Sequence, residues 1–218
     1  MLSIRTFARS EHPYFDDLVT LLISLASINT ALTCYANGGI CNDPKNFNNA
    51  IHIGGSLATY SFHTHDLMHG ISSDLWPDHI RLFRFSQDNP PEYRSGSRDL
   101  YNGGMQELVG RVVGSAFLRY YERRLDSVRP ALPRSPREWP EVWRFAWLIR
   151  NAVAHGDRFA IDDLGFPKTT WRNFAVSAAE SGQNWFDMDG GFLGGGDVLE
   201  LIDELERVDP LEARDRAG

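Results

Sequence analysis

Three tryptophans recur every four residues in the run WPEVWRFAWLIRNAVAHG, at Trp139, Trp143 and Trp147. Four-residue spacing keeps large rings on one side of an α-helix, so the run predicts a helix that buries an aromatic stripe in the core. Core packing is the expected role of these rings, ahead of base stacking. The preceding SPRE offers Ser135 as a cap, Pro136 at the first helical position and Glu138 to complete a capping box, with Pro140 able to shift the start. Gly156 suits the C-terminal stop. The last turns then carry Arg150, Asn151 and His155, three polar side chains that an apolar packing helix does not need.

The other periodic segments are also read as helices. YFDDLVTLLISLASINTALTCYANGG places Leu18, Leu22, Leu25 and Leu32 on one face and stops at NGG. GMQELVGRVVGSAFLRYYERRLDSV repeats the pattern, with Leu108, Val112, Ser115 and Arg119 near one side, and ends in the prolines of RPALPRSP. Between them, DPKNFNNAIHIGGSLATYSFHTHDLMHGISSDLW reads as a loop leading into one or two shorter helices. FRFSQDNPPEYRSGSRDLYNGG has no period and reads as a long loop. After His155 the period changes: RFAID and TTWRNFAVSA are short, β-branched and aromatic, which predicts a small β-hairpin between Arg158 and Trp185. DVLELIDELERV closes the pattern as a helix, with Asp197 as its cap and Glu200 three residues on, before an acidic tail. The GGGD that opens it lacks the Gly-Lys-Ser/Thr of a phosphate loop.

At 218 residues the chain is long enough for one sizeable core. The expected fold class is mostly α, a helical bundle with a small C-terminal β-hairpin after the polar-ended helix, in a single domain spanning residues 1–218. No apolar run reads as a membrane span, and the N-terminus lacks a secretory pattern, so a cytoplasmic protein is expected. Cys34 and Cys41 provide neither a zinc site nor a disulfide framework.

A net charge of −7 argues against a surface that binds nucleic acid everywhere, yet the charge is uneven. From Arg119 to Arg150 eight arginines face four acidic residues, whereas from Asp187 to Gly218 ten acidic residues face three arginines. A basic middle beside an acidic tail fits a confined site for an anion. The 20 Arg against 2 Lys suit bidentate phosphate contacts, although a GC-rich genome yields the same bias.

Asn151 and His155, four apart, share a helix face, and Arg150 is rotated about 140° from His155. A lone helix therefore splays the arginine from the histidine. Two copies meeting on a two-fold axis would bring two of each to one cleft. Such a cleft has what metal-free RNA cleavage requires: an imidazole to move protons and a guanidinium to hold the phosphate as charge develops.

RNAVAH, with its polar residue directly after the Arg and a Gly after the His, resembles the R-x4-6-H motif of the HEPN superfamily. The resemblance spans about residues 104–160, leaving 186–218 as a C-terminal helix and acidic tail. It implies an all-α bundle that dimerises so that motifs from both subunits form one site. Many members are metal-independent endoribonucleases of toxin, antiphage or RNA-processing systems; others only bind. By this resemblance Arg150, Asn151 and His155 are the catalytic residues and RNA is the substrate. It also implies a homodimer, an antitoxin or regulatory protein among the candidate partners, and no metal or cofactor. A nucleotide-modifying branch carries a tyrosine motif after its His, and HGDRFAID has none.

Two alternatives compete. Arg150 can pair with Glu141 or Asp157 while His155 caps its helix by binding a carbonyl, which makes the trio structural. Separately, HTHDLMH offers His63, His65, Asp66 and His69 as a divalent-metal face if helical, although it matches neither H-E-x-x-H nor H-x-H-x-D-H. A solvent-facing helix edge or a dimer interface is the expected explanation of these histidines.

Overall fold

The structure, a computed structural model, describes residues 2–36, 50–64, 67, 76–89, 104–163, 165–186 and 192–208. The chain divides into two compact units, Met1–Val112 and Val113–Gly218.

The first unit overturns the expected fold class. Among the described residues helix accounts for 50% and strand for 22%, so the chain is an α/β mix and not a mostly helical bundle. Its four strands are β1 (Leu2–Ala8), β2 (Ala50–Ile53), β3 (Ala58–His63) and β4 (His79–Ser86), joined in one antiparallel sheet of order β1-β4-β3-β2. The segment read as a loop with short helices therefore contains a hairpin, with Ile53 opposite Tyr60 and Ala50 opposite His63. The start of the long loop, FRFS, is the end of β4. The physical reason is a period of two. Ile51 and Ile53, then Ala58, Tyr60 and Phe62, then Ile80 and Leu82 are all buried, each separated by one residue from the next in its strand.

The helix α1 (Phe15–Ala36) runs as the leucine spacing predicts, with Leu18, Leu22 and Leu25 buried and Leu32 half-buried. Asp16 and Asp17 stand in its first turn, where the helix dipole favours them. Thr20 and Ser24 return their hydroxyls to the carbonyls of Asp16 and Thr20, at 2.7 and 2.8 Å. By length and composition Phe15–Leu32 is apolar enough to cross a membrane, and 44% of that window is buried within the molecule.

The second unit follows the sequence reading more closely. Its elements are α2 (Gly104–Val128, which begins before the boundary), α3 (Glu141–Ala154), the hairpin of β5 (Thr169–Trp171) and β6 (Phe174–Val176), and α4 (Gly195–Arg207). The hairpin is shorter than expected, since RFAID contributes only a single bridge between Arg158 and Asn184. Trp139 and Trp143 are buried, as the stripe predicts, whereas Trp147 is half-buried and stacks on Phe166 at 5.6 Å.

Two caps differ from expectation. Pro136–Glu138 forms one 3-10 turn with no side-chain cap from Ser135, and α3 begins only after Pro140. The cause is Pro140 itself, which holds the preceding Trp139 extended (φ −70°, ψ 154°) and breaks the run. At α4, Asp197 is not the cap residue but sits inside the first turn, and its carboxylate accepts the Gly194 N–H at 2.9 Å. Residues 209–218, the acidic tail, lie outside the described residues.

Candidate functional site at the end of α3

The rotation of α3 is fixed by what it buries. Trp143, Phe145, Ala146, Leu148, Ile149 and Ala152 are buried, which leaves Arg150 and Asn151 at the margin and His155 exposed. Two tethers hold the helix N-terminus. Glu141 accepts from Thr170 through both the backbone N–H (2.9 Å) and the hydroxyl (2.6 Å), and Arg144 Nε donates to Thr169 Oγ1 at 2.8 Å. The Thr170 hydroxyl bond holds the Glu141 carboxyl below its ordinary range, against a smaller opposing effect of burial. Farther along, α2 approaches α3 at Gly114: a Cβ there would lie 3.2 Å from Val153 Cγ1 and 2.9 Å from Trp185 Cζ2. Only a residue without a side chain allows this approach beside the motif.

Arg150 and Asn151 form one polar unit. Arg150 Nη1 donates to Asn151 Oδ1 at 3.1 Å, while its Nε and Nη2 both reach Glu122 Oε1 at 2.5 Å. The arginine is thus paired, but with Glu122 on α2 rather than with Glu141 or Asp157. Glu141 is bound to Thr170, and Asp157 Oδ1 accepts from Trp185 Nε1 at 3.1 Å. The Arg150 and Glu122 side chains remain 31% and 43% exposed, so water screens the pair, and its net worth is about 0–1 kcal/mol.

The end of α3 is closed by the backbone. The His155 N–H bonds the Asn151 and Ala152 carbonyls at 3.0 and 3.3 Å, and the Asp157 N–H returns to Ala152 at 2.8 Å. That return requires Gly156 in the left-handed region (φ 98°), as the sequence predicted for the stop, and Asp157 follows it there at φ 65°. The imidazole consequently has no capping duty. Among the described residues the His155 side chain has no hydrogen-bond or ion-pair partner, and it is exposed. The fold joins Arg150 to Asn151 through their side chains but links His155 to them only through the main chain.

Glu122 and its neighbour Tyr121 escaped the sequence reading. Tyr121 is fully buried, its ring centroid 6.1 Å from that of Trp143, and among the described residues its hydroxyl has no partner. Burial raises its phenol above the usual range, Glu122 raises it further, and Arg150 and Arg129 oppose the shift. A signal for Glu122 exists, since RYYERRL places one acid among the arginines of the basic segment, but its partner is 28 residues away. Of the histidine cluster, His63 is the exposed last residue of β3. His65, Asp66 and His69 lie outside the described residues, as does Cys41, while Cys34 lies on α1.

Comparison with family models, curated proteins and solved structures finds no match to this chain.

Proposed function

We propose that this chain is a metal-independent endoribonuclease of HEPN type, with its site at the C-terminal end of α3. One observation carries the reading: among the described residues His155 is an exposed imidazole without a side-chain partner, beside an arginine and an asparagine already joined to each other. The reading rests on this local constellation and not on the overall fold. A helix end already closed by main-chain bonds has no need of a histidine, whereas proton transfer does.

The chemistry needs two copies. One His155 accepts the proton of the 2′-OH as that oxygen bonds to phosphorus, and the P–O5′ bond breaks. The departing O5′ takes a proton from water, so that one histidine suffices. Arg150 of the partner subunit exchanges its half-exposed Glu122 contact for the phosphate, on which charge accumulates, and Asn151 positions it. The products are a 2′,3′-cyclic phosphate and a 5′-hydroxyl. Toxin or antiphage roles belong to the same reading, with a regulatory protein as further partner.

A second reading is a module that binds RNA, nucleotide or protein without turnover, and the Arg150–Glu122 pair favours it because the guanidinium is already neutralised. Labelled RNA incubated with the purified chain in excess EDTA separates the two. The nuclease reading expects fragments with cyclic phosphate and 5′-hydroxyl ends; RNA that stays bound but intact supports the module.

A further inference from the structure

The sheet of the first unit has two unlike faces. Alternation along β4 sends Ile80 and Leu82 into the core and Arg81, Phe83 and Phe85 to the other side. The registers extend that second face across the sheet: Leu2 opposes Phe85, Ile4 opposes Phe83, Phe83 opposes Ser61, and Ser61 opposes His52. Leu2 and Ile4 are 50% and 59% exposed and the two phenylalanines are half-buried, whereas Ser61 is buried and bonded to His52. The β1–β4 part of this face thus keeps apolar and aromatic surface in contact with water.

Its charge is as unusual as its exposure. The chain has 29 acidic residues, yet LSIRTFA, AIHI, ATYSFH and HIRLFRFS contain none, and they carry arginines and histidines instead. Arg81 is exposed and has no ion-pair partner among the described residues. The pairing of β3 with β4 runs only from Ala58 opposite Ser86 to Ser61 opposite Phe83. Beyond it lies a cavity of about 110 Å³, rimmed by His63, His79 and Arg81 over an apolar floor that includes Phe62 and Leu82. The His63 ring stands edge-on to Phe83, with centroids 6.0 Å apart.

We infer that this face is a stacking platform for single-stranded RNA, with bases on Phe83 and Phe85 and a phosphate at the Arg81, His63 and His79 rim. Two rings two residues apart on one strand lie about 6.8 Å apart along it, within reach of neighbouring nucleotides of an extended chain. Aromatic rings hold unpaired bases irrespective of sequence, and the cationic rim meets the backbone. A protein partner would use the apolar edge at Leu2 and Ile4 but has no need of strands cleared of carboxylates. The inference shares its ligand class with the proposed nuclease and does not depend on cleavage.

The test uses the full chain carrying His155→Ala, so that any RNA bound stays intact, and follows the anisotropy of a labelled oligouridylate. Phe83→Leu and Phe85→Leu, which keep apolar volume but remove the ring plane, are expected to weaken binding roughly fivefold or more each. Arg81→Gln, at an exposed position, is expected to reduce the slope of log Kd against log salt by about 0.7. A duplex of the same length should bind more weakly than the single strand. Unchanged affinity and salt slope in all three variants, with circular dichroism intact, overturns the platform, as does equal affinity for duplex. So does a parent that ignores RNA and instead captures a protein through Leu2 and Ile4. Binding here without cleavage by the unmodified chain would defeat the nuclease reading and leave this one standing.

Discussion

His155→Ala is expected to lower the rate of RNA cleavage by about 10²- to 10⁴-fold, the usual contribution of a positioned general acid or base. The fold should be unaffected. His155 is exposed, its side chain caps nothing, and alanine keeps the backbone N–H that bonds the Asn151 and Ala152 carbonyls. An unchanged urea midpoint together with lost cleavage is the expected pair of results. Retained cleavage would move the proton transfer elsewhere, and a large drop in midpoint would show a structural role that the contacts do not contain. Arg150→Ala is a less clean probe, because it also leaves Glu122 without its partner.

Trp143→Ala should do the opposite, removing stability and with it everything else. The ring is fully buried, and its Nε1 donates to the Val208 carbonyl at 3.4 Å across to the end of α4. Truncating a buried tryptophan typically costs about 3–5 kcal/mol, a large part of the roughly 5–15 kcal/mol that holds a domain together. Chemical denaturation checks it: a midpoint close to the parent's would mean that this stripe does not hold the second unit. Trp143→Phe should lose less, since most of the apolar volume remains.

These two substitutions lie on one helix and its C-cap, and the helix was the most legible part of the chain. Its aromatic stripe, its stop at Gly156 and the polar residues at its end all follow from local spacing, and α1, α2 and α4 were readable for the same reason. The sheet was not. β2 is only four residues, so its alternation offers two matches, Ile51 and Ile53, too few to outweigh the glycines and asparagines beside it. β4 presents Arg81 and Arg84 among its apolar residues, which hides a strand whose second face is open. Strand pairing is non-local, and nothing near Leu2 announces that it will meet Phe85.

The site shows the same division. The residues of RNAVAH are local, and their order along α3 is as the sequence implies. Glu122 is the partner that local reasoning could not supply: Glu141 and Asp157, nearer in sequence, were the natural choices for Arg150, and both are occupied by Thr170 and Trp185. The first turn of α3 was misread for a different reason, because Ser135 and Glu138 form a plausible cap that Pro140 separates from the helix.

The central claim is that the arginine and histidine act across two copies of the chain. It is tested most directly by co-expressing Arg150→Ala and His155→Ala under separate tags, purifying the mixed dimer and measuring RNA cleavage in EDTA. Each variant alone is expected to be inactive, and the mixed dimer, holding one intact arginine and one intact histidine on different subunits, is expected to recover cleavage. A mixed dimer as inactive as its parents, or a chain that stays monomeric at micromolar concentration, would contradict the shared site.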